Sequence, residues 1–414
     1  MEFIVNGGKS EVMNNMRLRR ILWGVLSLLL IGTGNQLLAQ QIINTFAGSG
    51  KVGYNGEGMK ATEAKLDGPV ASATDNEGNM YEADYNGNRV RKITKEGIII
   101  TIAGTGQHGF TKDGRRAIDA NLGKPSGIVI DKDGNVYFSE RDNNCVRKID
   151  KNGILTTLVG DYTSGFSGNG CEAITCQLQA PGALAMDKDG NLYIADCDNN
   201  SVRKVDTKGF IYAFAGNGFG AGTGTGGYSG DGGKATSAKL NQPTGIAFDK
   251  DGNLFISDCF NHSIRKVNKQ GIISTVAGTG VSGYNGEGAA ANKSQLSYPS
   301  AVVVDNKGNI FIADNGNFRI RKVGASGIIA TITGNGTQGT SGDSGIAGNA
   351  MIGKTTFLTF GTAGELYFGD YQENKIRVIA ETRADNITNV PACKASGNHV
   401  AAGSTSASVG GSVQ

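Results

Sequence analysis

Prolines at positions 69, 125, 181, 243 and 299 fall 56, 56, 62 and 56 residues apart, and Thr355 takes the next place in the series, 56 residues on. A period of this length means that one supersecondary unit is used again and again, so it has to be interpreted before any local motif. Each unit opens with an apolar run such as Gly245-Ile246-Ala247-Phe248, then turns through DKDGN at 131–135, 187–191 and 249–253. A second run follows, such as Leu192-Tyr193-Ile194-Ala195-Asp196, then a polar turn, a third run such as Ser201-Val202-Arg203-Lys204-Val205, a Lys-Gly or Asn-Gly turn, and a fourth run such as Ile272–Val276. These are four short antiparallel strands joined by hairpin chemistry.

The runs are continuously apolar where a one-sided sheet would alternate, so both faces of each unit must be covered. Blades packed radially meet that requirement, and the fold expected is an all-β, six-bladed β-propeller of four-stranded antiparallel blades. A linear solenoid would need polar caps at its ends. Instead, the sixth unit stops after three strands near 356–360, 365–370 and 375–379, while Ile42-Ile43-Asn44-Thr45-Phe46-Ala47-Gly48 matches Ile272-Ile273-Ser274-Thr275-Val276-Ala277-Gly278 nearly position for position. The N-terminal strand is therefore expected to complete the last blade, which removes both exposed edges.

Of 414 residues 65 are glycine, yet no Gly-X-Y period accompanies them, so they punctuate folded structure and collagen is excluded. A formal charge of +3 gives no general attraction to nucleic acid or to an acidic membrane surface. Arg17, Arg19 and Arg20 precede an apolar stretch from Ile21 to Ile31, and Leu37-Leu38-Ala39-Gln40 follows. This is the pattern of an export leader, too short for the roughly 20 apolar residues of a membrane span. The organisation expected is a leader over 1–40, with 1–15 an extension upstream of Met16, a propeller over 41–380, and a Gly/Ser/Ala-rich tail or linker over 381–414. Export places the protein outside the cytoplasm: secreted, periplasmic or at the cell surface.

The pattern P-x-G-I-A-x-D-x-x-G-N-L-Y-I-A-D-…-N-x-x-R-K-V, carried at 181–205 and 243–267, and the loop GYSGDGGKATSAKLNQP at 227–243 resemble the NHL-repeat (Asn-His-Leu) β-propellers in their bacterial extracellular form. The resemblance covers about 42–380 and implies the same fold. It specifies function poorly, because that family contains binding scaffolds together with a few lyases and hydrolases.

Strand direction alternates within a blade, so the long connections between blades and the second-to-third-strand turns should emerge on one face. The loops on it are GYNGEG (53–58), GFTKDG (109–114), GFSGNG (165–170), GYSGDG (227–232), GYNGEG (283–288) and GTSGDS (339–344), with an insertion of six residues near Gly218–Gly226. Tyr54, Phe110, Phe166, Tyr228 and Tyr284 are the candidate binding residues for a protein or glycan partner; alternatively each ring plugs its own loop onto the blade below. Asp84, Glu140, Asp196, Asp258, Asp314 and Asp370 end the second strands, and Arg91, Arg147, Arg203, Arg265, Arg321 and Arg377 follow seven residues later. They are expected to satisfy turn amides and pair with one another rather than form a cation-binding ring.

The DKDGN turns lack the later bidentate acid of a calcium loop, and His108 and His262 occupy non-equivalent positions, so neither calcium nor zinc is expected. No catalytic residue, metal or cofactor is assigned. The function expected is a non-catalytic binding scaffold working through the loop face; the alternative is an extracellular lyase or lactonase with an axial metal. Among the six cysteines, Cys171 with Cys176 is the cheapest local disulfide, and Cys197 with Cys259, equivalent positions in adjacent blades, is a second candidate pair; fifteen connectivities remain open.

Overall fold

A computed structural model describes residues 41–381; the leader and the tail lie outside the described residues. Six sheets account for the strands of the described residues, each with a core of four antiparallel strands, in sequential order in all but the last. Blade 1 is built from Pro69–Thr74, Met80–Asp84, Arg89–Ile93 and Ile98–Ala103, and blades 2 to 5 repeat this pattern from Pro125, Pro181, Pro243 and Pro299. Blade 6 takes Thr355–Phe360, Leu366–Asp370 and Lys375–Glu381 from the end of the described chain and Gln41–Ala47 from its beginning. Gln41 lies opposite Glu381 and Ile43 opposite Ile379, so the N-terminal strand closes the ring as the fourth strand of the last blade.

The outer edges are covered as well. In four blades a two-residue strand from the preceding loop adds a fifth rung: Met59–Lys60, Arg115–Arg116, Cys171–Glu172 and Gly345–Ile346. In blades 4 and 5 single bridges, Lys234 to Ile272 and Ala290 to Ile328, do the same. Each inter-blade loop thus runs out to the rim of the next blade before returning to the axis, which leaves few free strand groups for another chain to pair with.

Apolar clusters straddle neighbouring blades. Ala71, Tyr81 and Ala83 of blade 1 pack with Ile128 and Phe138 of blade 2, and Ile43 and Phe368 of blade 6 pack with Phe311 and Ile320 of blade 5. The DKDGN turns are self-contained hairpin turns. Asp131 accepts from the amides of Asp133 and Asn135 through Oδ1, and from the Asn135 amide group and Tyr137 hydroxyl through Oδ2, which spends the carboxylate on the turn.

A polar latch also ties blade to blade. The residue closing each second-to-third-strand turn has φ near +50°: Asn88, Asn144, Asn200, His262, Phe318 and Asn374. Asparagine tolerates this left-handed conformation better than most residues. Its Oδ1 then accepts a backbone N–H of the next blade, from Lys124, Ala180 and Gln242 for the first three, and from Gly68 for Asn374. His262 makes the equivalent bond through Nδ1 to the Tyr298 amide, whereas phenylalanine at 318 has no group to offer.

Candidate functional site

Each second strand ends in a carboxylate that lies wholly out of solvent and accepts a backbone amide 17 residues earlier: Asp196 from Gln179, Asp258 from Asn241, Asp314 from Ser297. The arginine seven residues later is buried too, and its guanidinium reaches the carboxylate at 2.9 Å in Arg147–Glu140 and 3.1 Å in Arg265–Asp258. Burial raises these carboxyls, Asp196 to about 7 and Asp258 to about 6, against the opposing pull of the amide and arginine partners. The other side of each guanidinium faces the loop above: Arg147 bonds Thr111 O and Asp113, and Arg265 bonds Ser229 O and Asp231. In blades 2 to 6 the Asp/Arg pair is therefore a structural brace between strands and loop, whereas in blade 1 Arg91 bonds the loop at Gly56 O but makes no ion pair with Asp84.

The five loop aromatics sit on top of this brace. Arg89 lies 3.6 Å from the centroid of Tyr54, Arg265 4.8 Å from Tyr228 and Arg319 4.1 Å from Tyr284, while Arg147 and Arg203 lie under Phe110 and Phe166 at 5.1 and 5.2 Å. The hydroxyl of Tyr54 donates to Glu57, which in turn accepts from the amide and hydroxyl of Thr101 on the fourth strand. Partial burial, which pushes the Glu57 carboxyl up, is outweighed by the Thr101 and Tyr54 hydrogen bonds and the Arg91 charge, so it lies below the usual range. Each ring thus lids its own blade near the rim and remains between 37% and 46% exposed. The structure distributes these five residues around the ring, one per blade, and does not bring them together.

What does converge lies at the axis. The loop-bearing face opens into a cavity of about 420 Å³, with walls formed by the first strands of all six blades. Its mouth carries Tyr85, Arg141, Cys197, Asn315, Lys354 and Tyr371, so the residues there vary around the ring. Beside the mouth, Phe260 and Tyr298 stand edge to face at 5.4 Å, with the His262 ring against Tyr298 at 4.6 Å; both Phe260 and Tyr298 are exposed. Sequence reasoning missed this set because it followed what repeats. The usable signal was the opposite: one repeat position where the residue varies around the ring, reading Tyr85, Arg141, Cys197, Cys259, Asn315 and Tyr371.

Cys171 and Cys176 are disulfide-bonded, stapling the loop before blade 3. Cys197 and Cys259 are buried free thiols, as is Cys145. Burial pushes the Cys197 and Cys259 thiols up to about 12, the former despite the nearby Arg141 charge. Among the described residues no group of three or more His, Cys, Asp or Glu side chains could hold a metal ion, and the cavity lining contains none of His, Asp or Glu.

A family model described as the teneurin NHL domain matches residues 106–167, 213–285 and 281–342, and the NHL-repeat model matches 178–205. The chain belongs to the NHL-repeat family. Teneurin-3 of Mus musculus is 30% identical over 286 residues, covering 59% of this chain and 10% of the relative; Teneurin-3 of Danio rerio is 29% identical over 354 residues, covering 76% and 12%. This NHL propeller therefore spans about a tenth of the length of the curated relatives it matches. A solved auxiliary nutrient binding protein from Bacteroides thetaiotaomicron shares the fold, with a TM-score of 0.60 over 83% of this chain and 77% of that one at 16% identity. Among the described residues, no helix is long and apolar enough to cross a membrane.

Proposed function

We propose that this NHL propeller is an exported, non-catalytic binding module that engages a protein or glycan partner through its loop-bearing face. The observation that carries the reading is the distribution of exposed aromatics: Tyr54, Phe110, Phe166, Tyr228, Tyr284, Phe260 and Tyr298 belong to inter-blade loops or to the turns bonded to them, with Tyr212 on a fourth strand an exception. The turns and loops share one face through bonds such as Asn199 to Gly165 O and Asn261 to Gly227 O. Exposed aromatics gathered on one side of a rigid scaffold are the usual anchors of recognition surfaces. The single tryptophan of the chain is Trp23, inside the leader, which favours a protein over strong sugar stacking. The leader at 1–40 supports a secreted, periplasmic or surface location, and a solved neighbour described as an auxiliary nutrient binding protein is consistent with a binding role.

The test compares purified residues 41–381 with two double variants, Tyr228→Ala/Tyr284→Ala on the rim and Phe260→Ala/Tyr298→Ala beside the axis. Biolayer interferometry against separated protein and polysaccharide fractions of the producing cell's surface reads the result. Loss of binding in either folded variant supports the loop face and says which zone serves; undiminished binding in both removes it.

A further inference from the structure

We propose that the axial cavity binds a small organic anion with a compact apolar body, such as an aromatic or branched-chain carboxylate. The cavity, about 420 Å³, falls within the size range of small-molecule sites. Its wall is a belt of Val70, Ile128, Leu184, Ile246, Val302 and Leu358. Hydroxyl groups punctuate the belt, but their protons are already committed to carbonyls of the next blade: Ser126 to Pro181 O, Thr244 to Ser300 O, Ser300 to Thr355 O and Thr356 to Pro69 O. The interior therefore offers apolar contact and little donor capacity, and polar recognition has to come from the mouth.

Two charged side chains line the cavity, Arg141 and Lys354, and both are cations. Arg141 leans on Asp198 at 3.5 Å, outside the lining, whereas Lys354 has no carboxylate within ion-pair distance among the described residues. Positive charge at the rim of a low-dielectric recess attracts and orients an anion more strongly than the same charge on an open surface. Buried polar atoms without partners are rare in folded proteins, and Asn315 Oδ1 and Ser72 Oγ are two of them, both on residues of the lining. Ser72 can donate to a bound carboxylate, whereas Asn315 Oδ1, an acceptor, calls for a water carried in with it. The tyrosines Tyr85 and Tyr371 flank the opening and provide flat surface for an aromatic body. The lining includes none of the exposed aromatics named for the partner surface, so the two readings are tested by different residues.

The experiment titrates residues 41–381 with 4-fluorophenylacetate, 4-fluorophenylacetamide and 4-fluorophenethylamine, reading the fluorine NMR signal of each. The carboxylate is expected to bind with a dissociation constant below about 1 mM and at least about tenfold more tightly than the neutral amide, with the amine weakest. Val70→Trp, which fills the cavity, should abolish binding, and Lys354→Gln with Arg141→Gln should erase the preference for the anion. Should Val70→Trp fail to melt cooperatively, Lys354→Gln alone decides, because Lys354 is exposed and makes no ion pair. Equal affinity for acid and amide, preference for the amine, no binding by 10 mM, or full retention of binding in the lysine variant overturns the proposal.

Discussion

Oδ1 of Asn374 accepts a hydrogen bond from the backbone N–H of Gly68 at 3.1 Å, across 306 residues of chain. The last blade therefore grips the first by the same asparagine latch that Asn144 uses on Ala180 between blades 2 and 3. Asn374→Ala is expected to cost about 1–3 kcal/mol, by stranding a buried amide and forcing alanine into a left-handed conformation. Urea titration followed by circular dichroism checks this, with Asn144→Ala as the matched control. An unchanged midpoint in both variants would mean the latches contribute nothing.

Glu82 is the anomaly of the ring. Equivalent positions hold Phe138, Ile194, Ile256, Ile312 and Phe368, but here a carboxyl is fully buried with neither oxygen bonded. Burial, with the neighbouring Asp84 charge adding to it, raises its pKa well above the normal range, against the pull of Arg91. A raised folded pKa means that the fold holds the proton more tightly than the unfolded chain. Glu82 is harmless below the unfolded value of about 4.3 and costs stability as pH climbs from there through the folded value. Glu82→Ile should raise the melting temperature, and the gap from wild type should widen between pH 4 and pH 8. A gap that is constant or narrows with pH contradicts the assignment.

The rim rings should behave as lids. Tyr284 covers Arg319 and Arg321, and its hydroxyl donates to Glu287 at 2.6 Å. Losing an exposed cation–π contact costs about 0.5–1 kcal/mol. Tyr284→Ala is expected to lose about 1 kcal/mol of stability and Tyr284→Phe less than half of that, measured by the shift in urea midpoint. Equal losses would assign the effect to the hydroxyl rather than to the ring.

Thiol chemistry separates the cysteines. Cys145, Cys197 and Cys259 are buried, with thiols whose pKa values are raised by that burial. Because the thiolate is the reactive form, iodoacetamide should leave all three unmodified in the native state at pH 8. Cys171 and Cys176 should be alkylated only after reduction. Peptide mass spectrometry before and after reductant reads both; native labelling of Cys197 would contradict its burial.

The fold was legible because its determinants repeat. Pro69 to Pro299 set the period, and the likeness between Ile42–Gly48 and Ile272–Gly278 announced the closure seen in the pairing of Ile43 with Ile379. The Asp and Arg positions were readable as a pair for the same reason, and Arg265 meets Asp258 at 3.1 Å. The asparagine latches were less visible: Asn88 looks like a turn residue, and nothing in one chain's letters says that its side chain reaches Lys124 in the next blade. The axial mouth was hidden for a different reason. Arg141, Asn315 and Lys354 meet because the ring turns them inward from separate blades, a geometric convergence with no counterpart in local spacing.

Pairing of Gln41–Ala47 with Lys375–Glu381 also imposes an order in time. Ribosomes deliver a chain from its N-terminal end, so among the strands of the propeller this one emerges first and finds its partner last, after five blades have been made. Until then it is an unpaired, largely apolar ribbon, exposed to other chains in the same condition. Successful production of this protein therefore depends on something keeping that first ribbon occupied, or on the remaining blades arriving faster than a second molecule can.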